Sequence, residues 1–195
     1  MLACRRGHLE VVEMLLEEGA DPAVCAPKTQ RTALHAAAMG GSARCTAALF
    51  TQCRGDAAWR LVDAPTSNGV APIHYAALYG FAPVVRVLLA AGARAALPAL
   101  GGEGGGGELR GIVPQSTPLH LAAMRGHSHV ALALLEFYVN QMLHQMSAMD
   151  AAAATPAGER LPWEGDRSLD PRLAVDARWR TPFDVSGRAL LPFAL

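Results

Sequence analysis

Thr117-Pro-Leu-His120-Leu-Ala-Ala-Met-Arg-Gly126 is the stretch that organises the rest of the chain. Its opening returns as Thr32-Ala-Leu-His35-Ala-Ala and as Ala71-Pro-Ile-His74-Tyr-Ala, and a glycine follows nine residues after each first position, at Gly41, Gly80 and Gly126. Self-similarity at this scale marks a stack of small supersecondary units, each burying its apolar face on its neighbours. Carried backwards, the register finds Ala3, Gly7-His8, Val11-Val12, Leu15-Leu16 and Gly19-Ala-Asp21, a first copy without its opening tetrapeptide. Carried forwards, it finds Thr181-Pro-Phe-Asp184-Val, the start of an incomplete fifth.

Each residue type has a mechanical reason. Threonine caps the following helix, and proline at the next position has a fixed φ suited to a first helical turn. The small pairs Ala36-Ala37, Ala76-Ala77 and Ala122-Ala123 let neighbouring helices approach closely, and the glycine ends the helix by tolerating positive φ. A second helix follows. Its core face reads as Val11, Val12, Leu15 and Leu16 in the first copy and as Val84, Val85, Leu88 and Leu89 in the third. The fourth uses Val130, Ala131, Leu134 and Leu135, and the second a weaker set, Cys45, Thr46, Leu49 and Phe50. The three repeated histidines are expected to bond across adjacent turns and fix the stack rather than to hold a metal.

The combination of Thr-Pro-Leu-His, paired alanines, Gly-His and paired leucines resembles the ankyrin-repeat family over residues 1–142, with a degenerate copy near 178–191. The resemblance implies an all-α solenoid of helix-turn-helix repeats joined by hairpin loops, here with truncated first and last repeats and long inserts. The array is expected to occupy 1–149, with copies near 1–24, 30–53, 69–95 and 115–142. A partly ordered linker at 150–177 and a degenerate terminal repeat at 178–195 follow, with Trp163 and Trp179 as anchors.

The family's concave surface usually binds proteins. By position, the resemblance places Lys28, Thr29, Arg31, Ser67, Asn68, Val70 and Ser116 on the hairpin tips. It places Arg5, Arg6, Met39, Leu78, Tyr79, Met124 and Arg125 on the open face of the inner helices. This strip has methionine, leucine and tyrosine at its centre and arginine toward both ends, a mixture in which binding hot spots concentrate. The function expected is non-catalytic protein binding on the concave face.

Ideal repeats start about 33 residues apart, whereas these start at 32, 71, 117 and 181, so inserts lengthen every complete interval. Residues 54–66 carry Trp59-Arg-Leu-Val62, an apolar piece expected to pack back on the array. Residues 98–114 contain Gly101-Gly-Glu-Gly-Gly-Gly-Gly107, expected to be mobile. The Trp-Arg-Leu-Val-Asp insert before the Pro-Ile-His repeat and the glycine-containing one before Thr117 are similar to those of plant ankyrin-RING ubiquitin ligases. In that family the ankyrin region selects the protein to be ubiquitinated and a zinc-binding RING recruits the conjugating enzyme. A RING needs closely spaced cysteine pairs, and this sequence has no cysteine after Cys53. The alternatives are therefore the substrate-recognition part or a relative of such a ligase, and a scaffold anchoring membrane or cytoskeletal proteins.

Composition excludes several other classes. Seventeen basic residues balance seventeen acidic ones, so no overall field draws the chain to nucleic acid. Four cysteines without CxxC spacing, and no apolar signal run at the start, point to a reducing compartment, the cytoplasm or the nucleus. Residues 130–149 are interrupted by Glu136, Asn140, Gln141, His144 and Gln145, so membrane insertion is not expected. Gly102-x-Gly104-x-x-Gly107 formally matches a dinucleotide fingerprint but follows no strand, no GK[ST] accompanies it, and no serine lies in GxSxG. No catalytic, cofactor-binding or metal-binding residue is expected. The chain should be a monomer or part of a larger polypeptide.

Overall fold

The computed structural model describes residues 1–52, 61–100, 113–152, 172, 174–178 and 180–186. The described helices are α1 (Leu2–Arg6), α2 (Leu9–Glu17), α3 (Ala33–Gly40), α4 (Ala43–Gln52), α5 (Pro72–Tyr79), α6 (Ala82–Ala90), α7 (Pro118–Arg125), α8 (Ser128–Ala152) and α9 (Pro182–Ser186). No strand occurs among the described residues, and none of their helices is long and apolar enough to cross a membrane.

The odd-numbered helices form an inner layer, α1 packing on α3, α3 on α5, α5 on α7 and α7 on α9. The even-numbered ones form an outer layer, α2 on α4, α4 on α6 and α6 on α8. The inner layer closes up because Ala37, Ala38, Ala76, Ala77, Ala122 and Ala123 face the neighbouring helices and are fully buried. Between the layers, Leu34, Ile73, Leu88 and Leu134 have no exposed surface, each contributing about 2 kcal/mol of burial.

Left-handed glycines turn α1, α3, α5 and α7 back into the outer helices that follow them. At Gly80, φ is 82°, and the Phe81 N–H returns to the Ala76 carbonyl at 2.9 Å. The same glycines are contact surfaces for the next repeat. A Cβ on Gly41 would lie 2.7 Å from the Phe81 ring, and one on Gly80 would lie 2.8 Å from His127 Nδ1.

The outer helices divide. Val84, Val85, Leu88 and Leu89 are all buried as expected, but in α2 only Val12 is; Val11 and Leu15 are 45% and 47% exposed. Among the described residues, α2 packs chiefly on α4 and α1. Leu61 and Val62, the apolar end of the first insert, do pack into the core, and Asp63 beside them holds Arg94 at 3.0 Å. Trp59, Trp163, Trp179 and the glycine run lie outside the described residues. Helix α8 continues to Ala152, past the boundary expected at 149. The terminal hairpin is already closed at Asp176, whose N–H donates to the Arg180 carbonyl at 3.0 Å, before the boundary expected at 178.

Candidate functional site

The inner helices are held in register by a ladder of imidazoles. The backbone N–H groups of Thr32, Ala71 and Thr117 donate to Nδ1 of His35, His74 and His120 at 3.1, 3.2 and 3.2 Å. Nδ1 therefore accepts, the proton sits on Nε2, and Nε2 donates onward to the carbonyls of Val70, Leu97 and Arg180 at 3.2, 2.8 and 2.8 Å. Each ring thus caps its own helix and grips the next hairpin. Burial pushes His35 and His74 down to about 4, against the smaller opposing pull of the carbonyls that accept from them. His120 is lowered for the same reason. With both nitrogens committed, these histidines have no lone pair left for metal binding or proton transfer.

At the fifth copy a carboxylate replaces the imidazole. Asp184 accepts from the Thr181 N–H and hydroxyl, both at 2.7 Å, which holds its carboxyl below the usual range. Asp184 keeps the cap but, being ionised, has no proton to donate to a further hairpin. Asp176, buried beneath it in the chain's last described hairpin, accepts from the Arg178 and Arg180 N–H groups and from the Arg180 guanidinium at 2.8 Å. Desolvation opposes its ionisation, yet these hydrogen bonds together bring its carboxyl below the ordinary value. Sequence reading missed this pair; the signal was an acidic residue four before Arg180, inside a stretch read as linker.

The hairpins stack edge to edge through their backbones. Ser67 N–H donates to the Thr29 carbonyl at 3.0 Å, Leu100 to Gly69 at 3.0 Å, and Ala177 to Pro114 at 2.9 Å. Ala99 and Ser116 close the hairpin from which the glycine-rich insert departs after Leu100 and to which it returns at Val113. That insert is thereby attached at a hairpin tip.

On this frame the expected contact residues separate. Lys28, Ser67 and Asn68 are exposed on the tips, and Thr29 is half-buried. Arg31 is half-buried with its guanidinium carbon 5.6 Å above the Tyr75 ring, which also meets His35 edge-on at 5.9 Å. Arg5, Arg6, Tyr79 and Arg125 are exposed on the inner helices, and Met39 and Met124 are half-buried against the core.

Val70, Leu78 and Ser116 are corrections, because all three are buried. Val70 is a core residue whose carbonyl receives His35, and its N–H is taken by the Thr66 hydroxyl at 3.2 Å. Leu78 is roofed by the following repeat, and its carbonyl accepts from His127 Nε2 at 3.1 Å. The Ser116 carbonyl closes the hairpin on Ala99 at 2.9 Å. Gly40 belongs to the surface although sequence reading passed over it. Arg6, Gly40, Tyr79 and Arg125 each directly precede a helix-ending glycine, and all four are exposed.

The family model for ankyrin repeats in three copies matches residues 1–98, half of the chain, and that for a single ankyrin repeat matches 115–143. The chain belongs to the ankyrin-repeat family. Its helical stack is an ankyrin solenoid, an architecture that serves as a protein-binding module. The probable E3 ubiquitin-protein ligase XBOS31 of Oryza sativa subsp. japonica is 36% identical over 97 residues, 50% of this ankyrin chain and 20% of that protein. The match thus spans about a fifth of the relative's length.

Proposed function

We propose that this ankyrin array is a non-catalytic module that grips a segment of a partner protein on its concave face. The observation that carries it is Tyr79. In α5 every residue except Tyr79 is buried, yet this large aromatic stays 36% exposed in line with Arg6 and Arg125. An aromatic held between arginines on a rigid scaffold is the make-up of an interface anchor. In an affinity capture with the array as bait, Tyr79→Ala combined with Arg125→Ala is expected to reduce recovery of the main partner more than about tenfold. The melting temperature should stay within about 2 °C, since neither side chain is buried. Undiminished capture by the variant refutes the reading.

A second reading is favoured by the relative's name: the array selects the protein that a ubiquitin ligase modifies, in the cytoplasm, with conjugating-enzyme recruitment supplied by a separate zinc-binding module. On this reading, an excess of the array competes with the ligase and lengthens the half-life of the captured partner. An unchanged half-life leaves the array as a scaffold.

A further inference from the structure

Formal neutrality conceals a sorted charge distribution. Helices α1, α3, α5 and α7 contain no Asp or Glu, and Asp184 of α9, the acidic residue of the inner layer's last described helix, is tied to the Thr181 cap, whereas α1 and α7 carry Arg5, Arg6 and Arg125, and Lys28 stands on the first hairpin tip. In the first repeat, Glu10, Glu13 and Glu17 lie on α2 in the outer layer and Glu18 caps its end. Asp21 is turned onto its own backbone, accepting from the Ala23 N–H at 2.8 Å, and Asp63 is bound to Arg94. Arg6, Lys28 and Arg125 are exposed and make no ion pair with a described residue.

The row formed by Arg6, Gly40, Tyr79 and Arg125 adds shape to this charge. At Gly40 a Cβ would run into the backbone of Arg5, so glycine is the residue that lets α3 sit against α1. The position carries no side chain and is exposed, so bare backbone separates the register positions of Arg6 and Tyr79. One step along the array is a helix spacing of roughly 8–10 Å, so Arg6 and Arg125, three steps apart, stand about 27 Å from each other. An extended peptide rises about 3.3 Å per residue and covers that span in about eight residues.

We propose that the concave face takes an extended acidic peptide segment, with carboxylates about eight residues apart meeting Arg6 and Arg125 and an apolar side chain between them seated over Gly40 against Tyr79. This rests on the protein-binding reading and gives its partner a chemistry. A polyanion such as nucleic acid is the poorer fit, because tight backbone binding draws on about 6–10 cationic contacts and the acidic outer layer of the first repeat repels it. Tyr79 is also a single platform, where a bound strand stacks several bases.

The test is to pan a display library of random peptides, about twelve residues long, against the full chain. Enriched sequences are expected to carry two Asp or Glu about eight residues apart with Leu, Met or Phe between them. By fluorescence anisotropy their Kd should weaken at least about tenfold between about 50 and 300 mM salt and again in Arg6→Glu and Arg125→Glu. Arg6→Lys and Arg125→Lys should restore most of the affinity, and melting curves of all four variants should overlay. Enrichment of neutral or basic peptides that still depend on Tyr79 overturns the acidic partner and leaves protein binding standing. Enrichment of nothing removes both. Phosphatidylserine vesicles or a single-stranded oligonucleotide binding through Arg6 and Arg125 as tightly as the best peptide overturns the peptide assignment.

Discussion

Val11-Val12 with Leu15-Leu16 in α2, and Val84-Val85 with Leu88-Leu89 in α6, are one pattern written twice. In α6 all four side chains are within 3% of complete burial, while in α2 Val11 and Leu15 remain about half exposed. The local sequences are equivalent, so the difference comes from the neighbours. α6 has α4 on one side and α8 on the other, whereas among the described helices α2 packs in its layer chiefly on α4. A repeat's stability in such a stack is its own helix pair plus the interfaces it shares, and among the described residues the first repeat has one such interface where the third has two.

Acid is the strongest way to break the contrast, because it attacks the middle. His35 and His74 sit at about 4 in the folded chain, and an unfolded histidine titrates near 6.5. A depressed imidazole contributes its full stability above about 6.5, where both states are neutral, and loses it as pH falls toward about 4. Each accounts for about 3 kcal/mol, and the pair rivals the whole stability of a typical domain, about 5–15 kcal/mol. Denaturation midpoints should therefore fall steeply between pH 6.5 and 4.5, and a flat profile would contradict the ladder's energetics. Next in size, Leu88→Ala should cost about 3 kcal/mol and Leu15→Ala under about 1 kcal/mol. Amides of α2 should also exchange faster than those of α6. Equal losses at the two leucines would dissolve the comparison.

The smallest effect lies in the hairpins. Gln30, in the first, has φ 52°, where the third repeat's hairpin uses Gly69 at φ 67°. Relieving a left-handed glutamine with Gln30→Gly should stabilise by up to about 1 kcal/mol in urea melts. Gly69→Gln should do the opposite and more, because a Cβ there meets Leu100 at 2.5 Å.

The fold was legible because its signals are local: a capping threonine, a histidine three residues on and a left-handed glycine act within one helix. The ladder was legible too, since repetition of His35, His74 and His120 at one register excludes a single clustered site. What sequence did not show is set by neighbours. Leu78 shares its register with Met39 and Met124 yet is buried where they are half-exposed, and nothing in Ala-Ala-Leu-Tyr announces that His127 will roof it. Val70 and Ser116 were placed on tips by analogy, whereas the backbone bonds of the stacked hairpins turn them inward. Asp176 was hidden by its alanine- and proline-rich setting, since its partners are backbone groups and an arginine that only the closed hairpin assembles.

The three imidazole rungs join residues 35, 23 and 60 apart in the chain. The entropy of closing a loop grows only with the logarithm of its length, so the longest rung is handicapped against the shortest by about 1 kcal/mol at most. The inserts between helices are therefore nearly free in length. Sequence can be lengthened, shortened or exchanged there without renegotiating the helical stack, and a stretch of foreign chain grafted between Leu100 and Val113 would arrive already mounted beside the concave face.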